Sequence, residues 1–312
     1  GQLGTTSAQA GSVGCYTNRA DFVAAKNNLT AWDGNGFWTV VEGFPIPNRL
    51  VDINLDKPFG EPVELAGMTY VDTAAAQATF TVDFGEQKAL VEGAKLTDAS
   101  VEGKKFTTGS YADGILTLDC GTVSEMAGEK TVILTFEKGS KKITVHAKIA
   151  VCTMLISDAD ELSMFPTVMK KHPNGYYALD NHIDYAGYTY SNNATIPFTG
   201  TFDGRGYTIF NFCSKTSATD ATGGFFGQLF ATNGNGVELP GTLKNISFVG
   251  ATVKGYGGFL AMLGQGTLEN VYIQFDIENM QAGAADGTQN HWYHSTSVLF
   301  NIGYWNIPIK NV

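Results

Sequence analysis

Two kinds of hydrophobic patterning divide the chain. From about 51 to 152, apolar and polar residues alternate in short runs: Thr79-Phe80-Thr81-Val82-Asp83-Phe84, Leu116-Thr117-Leu118-Asp119-Cys120 and Val132-Ile133-Leu134-Thr135-Phe136. A period of two puts one face of each run on a core and the other in water, the mark of half-buried strands. Glu137-Lys138-Gly139-Ser140-Lys141 is a polar turn into a further run, Ile143–Val151. Strands at this spacing predict an antiparallel sandwich of roughly seven strands and about 100 residues. The same alternation turns Cys120 inward with Leu116 and Leu118 and sets Cys152 on the opposite parity from Val145, Ile149 and Val151, which argues against a bridge between the two cysteines.

Beyond 152 the pattern becomes a repeat. Phe202-Asp203-Gly204-Arg205-Gly206 is a turn followed by the short run Tyr207–Phe212, which contains Ile209 and Asn211. Thr242-Leu243-Lys244-Asn245-Ile246 and Thr267-Leu268-Glu269-Asn270-Val271 repeat an apolar run with a central asparagine, and Pro308-Ile309-Lys310-Asn311-Val312 opens the phrase again. Self-similarity at intervals of 25–41 residues predicts stacked strand-turn units. Such a unit buries its apolar face only against neighbours, and asparagines at equivalent turns can form a hydrogen-bonded ladder. On this reading Asn211, Asn245, Asn270 and Asn311 are equivalent, and Tyr176–Asp184 is the first unit. Ser157-Asp158-Ala159-Asp160-Glu161 has the Ser-x-x-acid form that caps a helix, with Pro166 expected to end or restart that helix before 167–172. The helix would cover the open end of the stack.

Composition narrows the partners. The chain has 312 residues, a net charge of −10 and three arginines (Arg19, Arg49, Arg205), which argues against a nucleic acid or an anionic membrane surface. Thirty-seven glycines and 16% charged residues suit turn-rich β architecture. No apolar run is long enough to span a bilayer as a helix. The four cysteines are too scattered for a metal motif or a disulfide scaffold.

Phe198-x-Gly200-x-Phe202-Asp203-Gly204-x-Gly206-x-x-Ile209-x-Asn211, then Gly223-Gly224-Phe225-Phe226-Gly227 and Gly257-Gly258-Phe259-Leu260-Ala261, each followed by a Gly-Thr-Leu-(Lys/Glu)-Asn-(Ile/Val) phrase, resemble the GLUG-type repeats of bacterial surface proteins. The resemblance covers roughly 155–312. It implies a right-handed parallel β-helix, or solenoid, in a large adhesin or stalk, with Phe202, Asp203, Gly204, Gly206, Ile209, Asn211, Asn245, Asn270 and Asn311 as its repeat-defining residues. Tyr111-x-x-Gly114-Ile115-Leu116-Thr117-Leu118 and Gly128-Glu129-Lys130-Thr131-Val132 are similar to bacterial Ig-like spacer modules, although the usual Cys…Trp…Cys pattern is missing.

The fold expected is therefore all-β: a right-handed parallel β-helix plus an Ig-like β-sandwich. Residues 1–14 read as a flexible start or connecting loop. Residues 15–50, with a short helix over 20–29 and a strand over 37–41, read either as the closing piece of a preceding β-helix or as a free N-terminal cap. The first option rests on Phe37-Trp38-Thr39-Val40, which recurs as Tyr304-Trp305-Asn306-Ile307, with a proline downstream in both places. Residues 51–152 are the sandwich, and 153–312 the capping helix and β-helix, with the last repeat broken off.

Chemistry-bearing residues are few. Asp158, Asp160 and Glu161 lack the glycine and distal glutamate of a calcium loop, and helix capping accounts for them. His291 and His294 lack further ligands at a zinc spacing. Asp180, Asp184 and Asp203 lie on neighbouring units, but an acid pair needs a cleft that sequence does not show. Trp292, Tyr293, Tyr304 and Trp305, with Tyr185, Tyr188 and Tyr190, offer ring faces on which sugars could stack; the competing reading, favoured by the usual burial of large aromatics, puts them in the core or between modules. These observations point to a non-catalytic, extracellular bacterial surface protein without metal or cofactor, a fragment of a stalk or fibre. Its partners would be a glycan, a protein or copies of itself. The alternative is a carbohydrate-binding or polysaccharide-processing module, such as a lyase or glycosidase.

Overall fold

The computed structural model describes residues 38–41, 44–47, 62–74, 77–139, 141–192, 196–215, 224–232, 238–254, 257–264, 266–275, 296–297, 300–303 and 309–312. The fold is all-β with one α-helix among the described residues. Residues 1–14 and the expected helix over 20–29 lie outside them. Within 15–50, Trp38–Val41 pairs antiparallel with Phe44–Pro47.

Two sheets share the core of the first module. The larger has five strands, with Val63–Asp72, Lys141–Cys152, Gly128–Lys138, Lys95–Val101 and Lys104–Lys105 in that spatial order; the smaller places Ile115–Asp119 between Thr79–Asp83 and Gly109–Ala112. Alternation decides what fills the space between them: Phe80, Val82, Leu116, Leu118, Val132, Leu134, Phe136, Val145 and Ile149 are buried in one cluster. Phe84, Tyr111 and Phe136 meet edge to face at 5.0–5.8 Å, the arrangement their ring quadrupoles favour. The described strands here number eight rather than seven, because Lys104–Lys105 forms a short edge of its own. They are also not all antiparallel: Lys141–Cys152 runs parallel to Val63–Asp72. Cys120 belongs to this core, whereas Cys152 points to the opposite face; both thiols, and that of Cys213, are free.

The second module is a parallel stack. Met154–Ile156, Tyr176–Leu179, Thr201–Asp203, Thr242–Lys254, Thr267–Phe275 and Ile309–Lys310 pair in succession. The stack thus starts at Met154, one strand before the expected first unit. The helix is inserted between its first two strands. The repeat phrases align residue by residue: Thr201, Thr242 and Thr267 stack, as do Phe202, Leu243, Leu268 and Ile309. A second parallel sheet, Phe226–Gln228, Ala261–Gly264 and Phe300–Gly303, follows the Gly-Gly-Phe phrases, and Gly257–Gly258 pairs separately with Thr296–Ser297. Phe225, Phe226, Phe259, Leu260 and Ala261 are buried in the same core as Phe202, Ile209, Leu243 and Leu268. Tyr185 and Tyr190 belong to that core too, their rings 5.5 and 4.9 Å from Phe212, so neither offers a face to a sugar.

The helix spans Ala159–Lys171. Its cap is Asp158, not Ser157: the Asp158 carboxylate accepts from Glu161 N at 2.9 Å, and Glu161 Oε2 accepts from Ser157 N at 2.7 Å. This is a capping box shifted by one residue, which leaves Asp160 free to accept from the Tyr188 hydroxyl. Pro166 does not end the helix, which runs on through Lys171. Proline removes one hydrogen bond, but Leu162, Phe165 and Met169 on the apolar side are all fully buried, and Phe165 touches Tyr177 at 4.9 Å and Phe202 at 5.1 Å. Burial of three large side chains, worth about 1.5–3 kcal/mol each, outweighs a break costing about 3 kcal/mol.

One buried carboxylate in the sandwich gives a pH test. Burial would raise the Asp119 carboxyl, but hydrogen bonds from Thr108 N, from Thr122 N and Oγ1 and from Thr107 outweigh it and hold it down at about 2. A lowered folded-state value stabilises above the unfolded value of 3.8 and is lost as pH falls towards 2. Asp119→Asn should therefore lower stability by about 1–3 kcal/mol at pH 7 in urea unfolding, with the difference shrinking from pH 4 downwards.

Candidate functional site

The site with the densest chemistry is the seam between the modules. The strand Lys141–Cys152 passes through Thr153 directly into Met154–Ile156, so the two sheets meet at one turn. Ala150, Cys152, Tyr176 and Ala178 are buried together there, with Met68, Tyr70 and Leu155 packed against them. Burial, with Asp72 next, pushes the Cys152 thiol up to about 12, so it behaves as a small apolar side chain.

Beside this apolar patch sits Asp203, only 2% exposed. Its position follows from strand register. Phe202 faces the core, so Asp203 on the next parity faces outward, in a column with Ala178 before it and Lys244, Glu269 and Lys310 after it. The small Ala178 leaves room for the sandwich to cover the column. One carboxylate oxygen of Asp203 accepts from the Tyr70 hydroxyl at 3.1 Å and the Tyr176 hydroxyl at 3.0 Å; the other accepts from Arg205 N at 2.9 Å and Asn245 Nδ2 at 3.1 Å. The Lys244 ammonium lies 3.6 Å from Asp203 and 2.5 Å from Glu129 of the sandwich. The same Tyr176 hydroxyl lies 3.2 Å from Glu129, so its one hydrogen is shared between the two carboxylates. The Arg205 guanidinium stacks over the Tyr70 ring at 3.9 Å while bonding Asp180 and the Leu179 carbonyl. Tyr70 and Glu129 from one module and Asp203, Arg205, Lys244 and Tyr176 from the other thus form one network.

Its electrostatics favour one protonation state. Burial first, then the Asp203 charge, pushes both the Tyr70 and Tyr176 phenols well above their ordinary value, so both remain donors. Burial pulls the Lys244 ammonium down, but the Glu129 hydrogen bond and the Asp203 charge outweigh it and its value is raised. A buried carboxylate with this many donors is satisfied. The arrangement holds surfaces together.

Phe202 and Ile209 are buried; Gly204 is required because a side-chain carbon there would lie 2.5 Å from the Asn245 carbonyl; Gly206 has a φ of +84°. Asn311 donates to Asn270 at 2.7 Å, Asn270 to Asn245 at 2.9 Å, and Asn245 to Asp203, all three asparagines with φ near +54°. Asn211 stands elsewhere. It is level with Gly250, not Asn245, and donates to Asp184 at 2.8 Å. The ladder's first member is Asp203, because the strand pairing sets Asp203 against Lys244, one residue before Asn245. Asp180, Asp184 and Asp203 each have a partner of their own: Arg205, Asn211 and the seam respectively.

Trp292, Tyr293, Tyr304 and Trp305, like His291 and His294, lie outside the described residues. No cluster of metal-ligating side chains occurs among the described residues, and none of their helices is long and apolar enough to cross a membrane. Sequence reasoning passed over Tyr70, Glu129 and Tyr176. The column Asp203, Lys244, Glu269, Lys310, with its alternating sign, was visible in the repeat phrase and was the available signal; Lys310 pairs with Glu269 at 2.6 Å.

No protein-family model matches the chain, and no curated protein matches it. One solved structure, a tri-modular GH5 (subfamily 4) endo-β-1,4-glucanase from Bacillus licheniformis complexed with cellotetraose, aligns at 10% identity with a TM-score of 0.21, over 30% of this chain and 20% of that one. A likeness at that level carries no argument.

Removing the Asp203 carboxylate leaves the Tyr70 phenol without its acceptor in the seam and leaves Tyr176 and Lys244 with Glu129 alone. Asp203→Ala should cost about 3–5 kcal/mol and Asp203→Asn, which keeps an acceptor, clearly less, as read by urea unfolding at pH 7. The Tyr and Lys values are raised on folding, so their contribution is complete below the unfolded values of 10.0 and 10.5 and is lost as pH rises beyond them. Stability of the native chain should fall from about pH 10 upwards, and Tyr70→Phe/Tyr176→Phe should flatten that fall.

Proposed function

We propose that this chain is part of a non-catalytic, extracellular bacterial surface protein, in which a right-handed parallel β-helix is joined rigidly to an Ig-like sandwich so that both act as one stalk segment. The observation that carries this reading is the seam. A stalk transmits position and load only if its modules do not swivel, and domains within a chain move relative to one another unless their interface is well packed. Here a strand crosses without a linker, an apolar patch closes the inner side, and a buried carboxylate collects donors from both modules. Further support comes from the in-register columns of Thr201, Thr242 and Thr267 and of the laddered asparagines, the expected consequence of GLUG-like repeats winding into a helix. Among the described residues, Tyr70, Tyr176 and Lys244, whose acidity is perturbed, are engaged in holding the modules together, where catalysis would require a group facing substrate.

The stalk reading is tested by solution scattering on the 312-residue chain. A locked seam is screened little by salt, so the scattering curve should be unchanged between about 0.05 and about 0.5 M NaCl, while Asp203→Ala broadens the distribution of inter-module distances. A wild-type curve that already requires a swivelling pair of modules would overturn the proposal.

A further inference from the structure

A second feature of the parallel stack is not needed to hold it together. Inward-facing Ile183, Ile209, Phe248 and Val271 are buried, so the residues of opposite parity form an outer face across four strands. Register sets His182 beside Thr208, Thr208 beside Ser247 and Ser247 beside Tyr272 in one column. Asp184, Phe210 and Val249 form the adjoining one. Large rings stand at both ends of this face. Phe210 is 37% and Tyr272 56% exposed.

At the first end the rings form a cluster. His182 meets Tyr207 edge to face at 5.3 Å and lies 6.2 Å from Phe210. Thr208 N donates to His182 Nδ1 at 3.0 Å, so the neutral imidazole carries its hydrogen on Nε2, the other side of an exposed ring. The Asp184 carboxylate is oriented by Asn211 Nδ2 and Ala186 N, and the Asn211 bond holds its carboxyl below the usual range. Between Phe210 and Tyr272 lies one strand, with Ser247 and Val249 on its outer side. Two strand spacings of about 4.8 Å make this a shallow trough roughly 10 Å long, bounded by the two rings and edged at its first end by the His182 donor and the Asp184 carboxylate.

From this arrangement we infer that the outer face of the stack binds an uncharged, extended polysaccharide, with sugar rings resting on the Phe210 and Tyr272 faces and hydroxyls bonded by His182 Nε2–H and Asp184. Rings with apolar faces and hydroxyl edges match aromatic platforms flanked by hydrogen-bonding groups. The length of the trough favours a chain over a single sugar. Charge selects among chains: the Asp184 carboxylate and a protein of net charge −10 oppose a polyanion. This inference rests on the proposed extracellular surface role and names a class of ligand and its place.

The test is native affinity electrophoresis of the 312-residue chain in gels containing hydroxyethyl cellulose, galactomannan or xyloglucan, with polygalacturonate and alginate as acidic counterparts. At least one neutral polymer should retard the protein. Phe210→Ala and Tyr272→Ala should each weaken retardation about tenfold, and the pair should abolish it. Ser247→Arg, which leaves both rings in place and fills the trough, should abolish it too, whereas Met164→Ala, an exposed apolar residue of the helix, should not change it. No retardation by any neutral polymer, retardation by acidic polymers alone, or retardation unchanged in the double variant would each overturn the inference. Because scattering reads the seam and electrophoresis the face, a rigid chain that no polymer retards removes this inference alone and leaves the stalk standing.

Discussion

A carboxylate taken out of water must be met by hydrogen-bond donors or it costs the fold heavily. Asp203 meets that requirement with donors drawn from both modules, and much of the seam follows from it. Tyr70 and Tyr176 must point inward to reach it, Lys244 must lie across it, and Glu129 must come within reach of Lys244. Each donor is itself costly to leave unpaired. The network therefore favours one relative placement of the modules: separating them would strand several polar groups in surroundings shaped to exclude water. Apolar packing around Cys152 and Ala178 supplies attraction, but attraction of that kind has little direction; the polar network supplies the orientation.

The stack depends on register in the same way. In parallel pairing like residues sit over like, so one favourable substitution pattern is multiplied along a column. Threonines stack on threonines, apolar residues on apolar residues, and charges alternate in sign from Asp203 through Lys244 and Glu269 to Lys310. The asparagines occupy left-handed backbone positions that their short polar side chains tolerate, and each amide donates to the next carbonyl oxygen. Buried interior and patterned exterior arise from the same period of two. The ring-lined outer face is thus a by-product of the register that builds the core, available for binding without disturbing it.

Alternation and repetition were legible in the chain. Phe80, Val82, Leu116 and Leu118 fill the sandwich core as their spacing requires, Cys120 and Cys152 fall on opposite faces, and Asn245, Asn270 and Asn311 stack. Local rules failed where tertiary packing outbid them. Pro166 stays inside its helix because Leu162, Phe165 and Met169 are anchored on either side of it, and the cap moves to Asp158 because Glu161 reaches back to Ser157. Asn211 looked like its fellows but is level with Gly250, since the turn at Gly204–Gly206 places a separate short strand before it.

What the sequence determined by itself, then, was the period of each segment and hence which side chains face inward, because backbone geometry imposes a strict alternation on any strand. The tertiary structure alone decided what the outward-facing residues meet. Tyr70 and Asp203 stand 133 residues apart, and Glu129 and Lys244 stand 115 apart. No local pattern marks an ion pair or a hydrogen bond across such a distance, because its energy depends on where two independently folded surfaces come to rest and on how completely they expel water between them.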